Sequence, residues 1–132
     1  MAHQEKIIDI FTHSCGLFKL KGFQLKFMRR QVDERGRGVI DLKKGYTIGY
    51  TNLKTKVIAI DIYTPKFRRE KSINSIIRVL AHEIAHHQKP PFRQRWRGRV
   101  ITRQHYPLFY KQVNRNVEKM KKDKILREYF EK

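Results

Sequence analysis

A single cysteine, Cys15, in 132 residues leaves no internal disulfide and no cysteine-rich metal cluster within reach. The composition therefore suits a reducing compartment, and any bound metal must be held by histidine and carboxylate. Long apolar runs are missing as well, since no window approaches the roughly 18 apolar residues of a membrane span. The opening MAHQEKIIDIFTHSC lacks a basic start followed by an uninterrupted apolar stretch, so the expectation is a cytoplasmic protein without membrane contact. Polar or Gly/Ser-rich linkers are also lacking, which reads as one domain over residues 1–132, large enough for one core but not two. Nothing in the composition fixes an oligomeric state.

Acidic residues are scarce. Twelve Asp and Glu face thirty-one Lys and Arg, giving a formal charge of +19. The balanced ion-pair networks of thermophile surfaces are excluded by that ratio. A field of this sign attracts polyanions, and nucleic acid is the natural partner, against the ordinary alternative of a merely solvated basic surface.

The apolar pattern then sets the architecture. Residues Glu5 to Leu20 carry Ile7, Ile8, Ile10, Phe11, Leu17 and Phe18 at loosely helical spacing, interrupted near Cys15-Gly16. GFQLKFM reads as a strand, RRQVDERGRG as turn material, and GYTIGYTN and VIAIDIY as two further strands joined around Asn52-Leu53-Lys54. From Ser72 the period changes, with Ile73, Ile76, Ile77, Leu80, Ala81, Ile84 and Ala85 at helical intervals. Ser72 suits an N-cap, and Pro90-Pro91 stops the helix near Gln88 because proline lacks the amide donor. A last helix is predicted from Pro107, with Phe109, Val113, Val117 and Met120 on one face, restarting after Asp123. The sum is an α+β fold with a small, about three-stranded sheet on the Ser72–Gln88 helix and flanking N- and C-terminal helices.

That central helix carries H-E-x-x-H, as His82, Glu83 and His86. At about 100° per residue the apolar stripe centres near Ile84 while both histidines leave from the other side. Two imidazoles one turn apart suit a tetrahedral zinc with room for a third ligand and a water, beside which Glu83 would stand. The ordinary alternative is a chance occurrence of the pattern. His87 projects back toward the apolar side and is expected to be packed or hydrogen-bonded, and His3 and His13 have no ligand spacing around them.

Two residues compete as the third ligand. No Asp or Glu lies between Glu83 and Glu118, and in that span only His105, nineteen residues after His86, offers a donor. Glu118, one helical stretch further on, is the rival.

The stretch from about Tyr46 to Val113 resembles the SprT-like zinc metallopeptidases of the zincin group, which also includes the compact minigluzincins. GYTIGYTNLKTKVIAIDIY resembles the family's paired strands, IIRVLAHEIAHH its active helix, and HYPLF the segment that supplies its last ligand. Tyr106 stands where the family often has glycine, and a C-terminal zinc ribbon is lacking. The resemblance implies a zincin-like domain with His82, His86 and His105 on Zn2+ and Glu83 as catalytic base for hydrolysis of a protein or peptide substrate. Zinc on three neutral imidazoles lowers the pKa of bound water, and Glu83 accepts its proton. Tyr106 or Tyr110 is a candidate for stabilising the oxyanion, and an extended substrate is expected to pair with the strand edge around Val57 to Tyr63.

Between the helix and His105 runs KPPFRQRWRGR, in which five cations alternate with Phe92 and Trp96. Arg93, Arg95, Trp96, Arg97 and Arg99 are candidates for phosphate contact and base stacking, as on single-strand binding surfaces. The competing reading is a solvated basic loop with Trp96 tucked into the core. DNA would then recruit the peptidase to proteins associated with it, as the SprT-like resemblance implies. Two other readings of the chain compete with this one: a basic nucleic-acid-binding module with a structural zinc, and a peptidase occluded by its own residues 121–132.

Overall fold

A computed structural model describes residues 2–28, 34–35 and 48–130. Its architecture is α+β, as the periodicities predict. The first helix, α1 (His3–Leu17), buries Ile7, Ile10, Phe11 and Ser14 on one face. It runs through Cys15-Gly16 instead of breaking there. The stop comes after Leu17, where Lys19 takes a left-handed φ of 57° and the amides of Lys19 and Leu20 return to the carbonyls of Gly16 and Cys15. This is a Schellman ending with lysine where glycine is usual, so the sequence carries little sign of it.

Three short strands follow: β1 (Gln24–Phe27), β2 (Gly49–Asn52) and β3 (Val57–Ile60). They form one sheet in the order β1-β3-β2, with β1 parallel and β2 antiparallel to β3. The Asn52 side chain organises the β2–β3 turn by accepting from the amides of Lys54 and Thr55. Central β3 buries Ile58, Ala59 and Ile60, which explains its unbroken apolar character. Of the expected turn at residues 29–38, only Glu34 and Arg35 lie within the described residues.

The chain next closes a loop with a bidentate ion pair from Arg68 to the fully buried Asp61 and enters α2 (Ile73–Gln88). Ser72 caps this helix by accepting from the Ser75 amide at 3.2 Å. Ile76, Ile77, Leu80 and Ile84 join Ile58, Ile60 and Ile62 in a single apolar cluster that also takes residues from α1 and the C-terminal helix.

After Pro90-Pro91 the sequence reading of a loop is corrected. Residues 89–99 begin a hairpin, β4 (Phe92–Trp96) and β5 (Arg99–Arg103), closed by Arg97 and Gly98 at φ of 50° and 75°. Two successive residues at positive φ match the type I′ turn that the natural twist of a hairpin favours. Arginine in a place usually held by Asn or Asp, amid dense positive charge, hides that signal.

The last long helix, α3 (Pro107–Lys122), opens on proline and buries Phe109, Asn116, Val117 and Met120. The chain turns at Asp123, whose carboxylate accepts from the Ile125 and Leu126 amides, and ends the described residues with a short 3-10 helix, Arg127–Tyr129. No helix among the described residues is long and apolar enough to cross a membrane.

Candidate metal centre

Three histidines converge where α2 meets the start of α3. His82 and His86 leave successive turns of α2, and His105 stands two residues before Pro107 begins α3. Their ligand atoms all lie within 4.8 Å of one another, close enough to hold one metal ion. The Nε2 atoms of His82 and His105 are 3.3 Å apart. Ring centroids form a nearly equilateral triangle with sides of 5.0, 5.0 and 5.2 Å.

Beneath that triangle lies Phe109, fully buried. Its ring stacks on His86 at 4.4 Å and meets His82 and His105 edge-on at 5.0 and 5.2 Å. The face of α2 opposite the sheet is thus roofed by α3, and the His82 and His86 rings are partly desolvated while His105 stays exposed. Burial, reinforced by His82, His105 and His87, pushes the His86 ring down to about 4, and burial plus His105 lowers His82. Both are therefore neutral near neutral pH, the form in which imidazole offers its lone pair.

Glu83 leaves the same turn toward the sheet. It is only 4% exposed, burial raises its carboxyl to about 7, and its Oε2 has no hydrogen-bond partner among the described residues. A carboxylate this well buried is normally paired, so the orphan oxygen marks a group held for something other than folding. Its neighbour is Gly49, where a Cβ would fall 2.8 Å from Val79 Cγ1 and 3.3 Å from Glu83 Oε1. Glycine at that position lets β2 run close against α2. Sequence reasoning passed over Gly49, because its role is set by a helix some thirty residues later.

Glu83, the three histidines, Gly49, Tyr50 and Leu53 line one cleft of about 410 Å³. Glu118 takes no part in it. That residue is exposed on α3 and pairs with Lys121 at 3.5 Å, so among the described residues His105 completes the donor set. His87 turns away to hydrogen-bond Thr51 and pack edge-on against Phe23, as its place on the helix predicts. His3 contacts the Lys71 carbonyl and Glu70, and His13 contacts Asp123 at 2.7 Å, both far from the triad in role.

Of the two tyrosines weighed for an oxyanion, Tyr106 donates its hydroxyl to the Pro90 carbonyl at 2.9 Å and so ties the base of the hairpin. Tyr110 is half exposed and lies over the His105 ring at 6.1 Å. The strand edge suggested for an extended substrate is also corrected, since β3 is central and paired on both sides. Among the described residues the outer edge of β2, beside the cleft, pairs with no strand.

The basic candidates form two faces instead of one. Cross-strand pairing places Trp96 beside Arg99 and, with Phe92, Arg103, on one face of the hairpin, while Arg93 and Arg95 occupy the other and Arg97 the tip. Trp96 is 50% exposed, not in the core, with Arg97 and Arg103 guanidinium carbons 5.5 and 5.7 Å from its ring. Of the segment 121–132, suspected of occluding the cleft, residues 131–132 lie outside the described residues and the rest is anchored elsewhere: Leu126 is fully buried in the core and the Tyr129 carbonyl accepts from Asn74 at the start of α2.

Comparison with family models, with curated proteins and with solved structures returned no match to this chain.

Proposed function

We propose that the chain is a zinc-dependent peptidase of SprT-like type, hydrolysing peptide bonds in proteins associated with DNA. The observation that carries this reading is the pairing, in one cleft, of three converging imidazoles with a buried carboxylate whose Oε2 has no hydrogen-bond partner among the described residues. The donor set fits zinc on two counts. Neutral histidine is a preferred zinc ligand, and a tetrahedral ion with Zn–N bonds of about 2.0–2.1 Å needs nitrogens about 3.3–3.4 Å apart, which the 3.3 Å between His82 and His105 Nε2 matches. Zinc held there supplies a Lewis acid that polarises a carbonyl and brings the pKa of water toward neutrality.

The chain's own residues supply the rest. Phe109 packs against all three rings and orients them, and it helps to desolvate His82 and His86. Glu83 takes up the proton lost when water attacks the peptide carbonyl and returns it to the amine as the C–N bond breaks, a role suited to a carboxyl poised at about 7. A divalent charge nearby shifts that carboxyl toward its ionised, proton-accepting form. The outer edge of β2 offers main-chain donors and acceptors to an extended peptide, which demands little of its sequence.

Recruitment to DNA rests on the hairpin. An exposed indole flanked by Arg97, Arg99 and Arg103 is suited to stacking on an unpaired base while the guanidiniums meet phosphate. The same feature favours a second reading, a nucleic-acid-binding module whose zinc is structural. Replacing Glu83 with Gln separates the two: a peptidase keeps its zinc and loses cleavage of an unstructured protein such as casein. Cleavage that persists in a zinc-replete Glu83→Gln protein removes Glu83 from its role.

A further inference from the structure

The core between α2 and α3 holds one polar side chain that the chemistry above does not use. Asn116 is 1% exposed, the one polar residue among those that α3 buries, beside Phe109, Val117 and Met120. Its Nδ2 donates to the Ala81 carbonyl at 3.1 Å and to Gln88 Oε1 at 2.7 Å, and its Oδ1 accepts from Gln112 at 3.0 Å. Both amide hydrogens are used, so the side chain is held in one orientation. Ala81 immediately precedes His82 and Gln88 immediately follows His87, so these bonds bracket the segment that carries both helical ligands.

On α3, Asn116 lies seven residues beyond Phe109, two turns along the same stripe and about 10 Å away. Phe109 supports the imidazoles, and His105 stands four residues before it. The apolar contacts of this seam, in which α3 buries Phe109, Val117 and Met120, are non-directional and tolerate sliding. A buried amide that must find its partners tolerates little, which is how a single asparagine fixes register in coiled coils.

We propose that Asn116 is a positioning residue of the metal centre: by fixing how α3 sits on α2, it holds His105 and Phe109 in place against His82 and His86. The inference rests on the reading of the three histidines as ligands. It predicts that removing the amide harms metal binding more than it harms folding. Gln88 and Gln112 are half-buried and recover water when the amide is gone, and Ala81 lies inside the helical ladder of α2. An apolar side chain of similar size is therefore well accommodated.

The test compares Asn116→Leu with wild-type protein in two measurements: Zn2+ affinity by competition with a chromophoric chelator, and thermal unfolding of the metal-free chain. The expected result is a melting temperature close to wild type with zinc affinity lower by about tenfold or more, the range found when supports of metal ligands are lost. Wild-type zinc affinity in folded Asn116→Leu overturns the proposal, as does a fall in stability with affinity unchanged. Should Asn116→Leu fail to fold, the double variant Gln88→Met/Gln112→Met removes two of the three partners at half-buried positions. A severalfold loss of zinc affinity is then expected, and an unchanged value overturns the proposal equally. Wild-type protein that takes up no zinc overturns the underlying ligand reading and this inference together.

Discussion

The carboxyl of Glu83 makes the metal-free protein's stability depend on pH in a way that one substitution isolates. Burial raises it from 4.5 to about 7. Between those values the folded chain holds a proton that the unfolded chain has lost, so this group favours folding fully below about pH 4.5 and loses that contribution as pH rises through 7. At 1.36 kcal/mol per tenfold change in proton affinity, the full difference is about 3 kcal/mol, or roughly 10 °C in melting temperature for a chain of this size. His86, pushed down to about 4, acts with the opposite sign, since below pH 6.5 the unfolded chain gains a proton that the folded one refuses. Metal-free wild-type protein is therefore expected to lose stability on both sides of an optimum. Glu83→Gln keeps the acid-side loss and abolishes the alkaline one. The amide carries its own cost in the same site, but that cost does not vary with pH, so the quantity to read is how the gap between the two proteins widens from about pH 5 to about pH 9. Thermal unfolding in the presence of chelator measures it, and saturating zinc should close the gap by compensating the ionised carboxylate. Parallel curves for the two proteins across the whole range would refute the assignment of Glu83 as a buried, unpaired carboxylate.

Three further outcomes follow from the geometry. His105→Ala is expected to lose stoichiometric zinc while Glu118→Ala retains it, measured as metal per chain after dialysis; loss in the glutamate variant alone reverses the ligand assignment. Gly49→Ala should lower stability by about 1–3 kcal/mol, because the added methyl overpacks the gap between β2 and Val79, and should depress peptide cleavage further by pressing on Glu83; unaltered kcat in a folded variant would show that the close approach is incidental. Trp96→Ala should weaken single-stranded DNA binding by about 1–3 kcal/mol with little change in salt dependence, whereas Arg99→Ala should flatten the salt slope; equal effects from Arg93→Ala would argue against a binding face centred on Trp96.

What was legible in the sequence is local. α2 declared itself through a helical period, a serine cap and a proline stop within one window, and its period alone put His82 and His86 on one face. α3 declared itself in the same way from Pro107 to Met120. The choice between His105 and Glu118 was not local, because sixteen residues of chain, 89–104, separate His105 from the end of α2 and nothing in their pattern says that they double back. They do so as a hairpin whose signals were masked twice, by Arg97 at a left-handed turn position and by cations on both faces. Gly49 and Asn116 were illegible for a related reason. A glycine in a strand and an asparagine in a helix have no distinctive pattern, and each takes its meaning from atoms of α2 that the fold brings to it.

Burial links these parts into one electrostatic device. α3, through Phe109, desolvates one side of the His82–His86 turn, and β2, through Gly49, desolvates the other. Burial disfavours charge of either sign, so His82 and His86 are kept neutral by a lowered pKa while the carboxyl of Glu83 is raised to about 7. The positive field of a chain at +19 adds to the first effect and opposes the second. The rise of Glu83 to about 7 comes from desolvation by burial, and a site governed by desolvation should keep its titration largely independent of salt. A shift of the pH-dependent gap between wild type and Glu83→Gln on raising ionic strength would instead assign the perturbation to surface charge, which is screened within about 10 Å at 0.1 M salt.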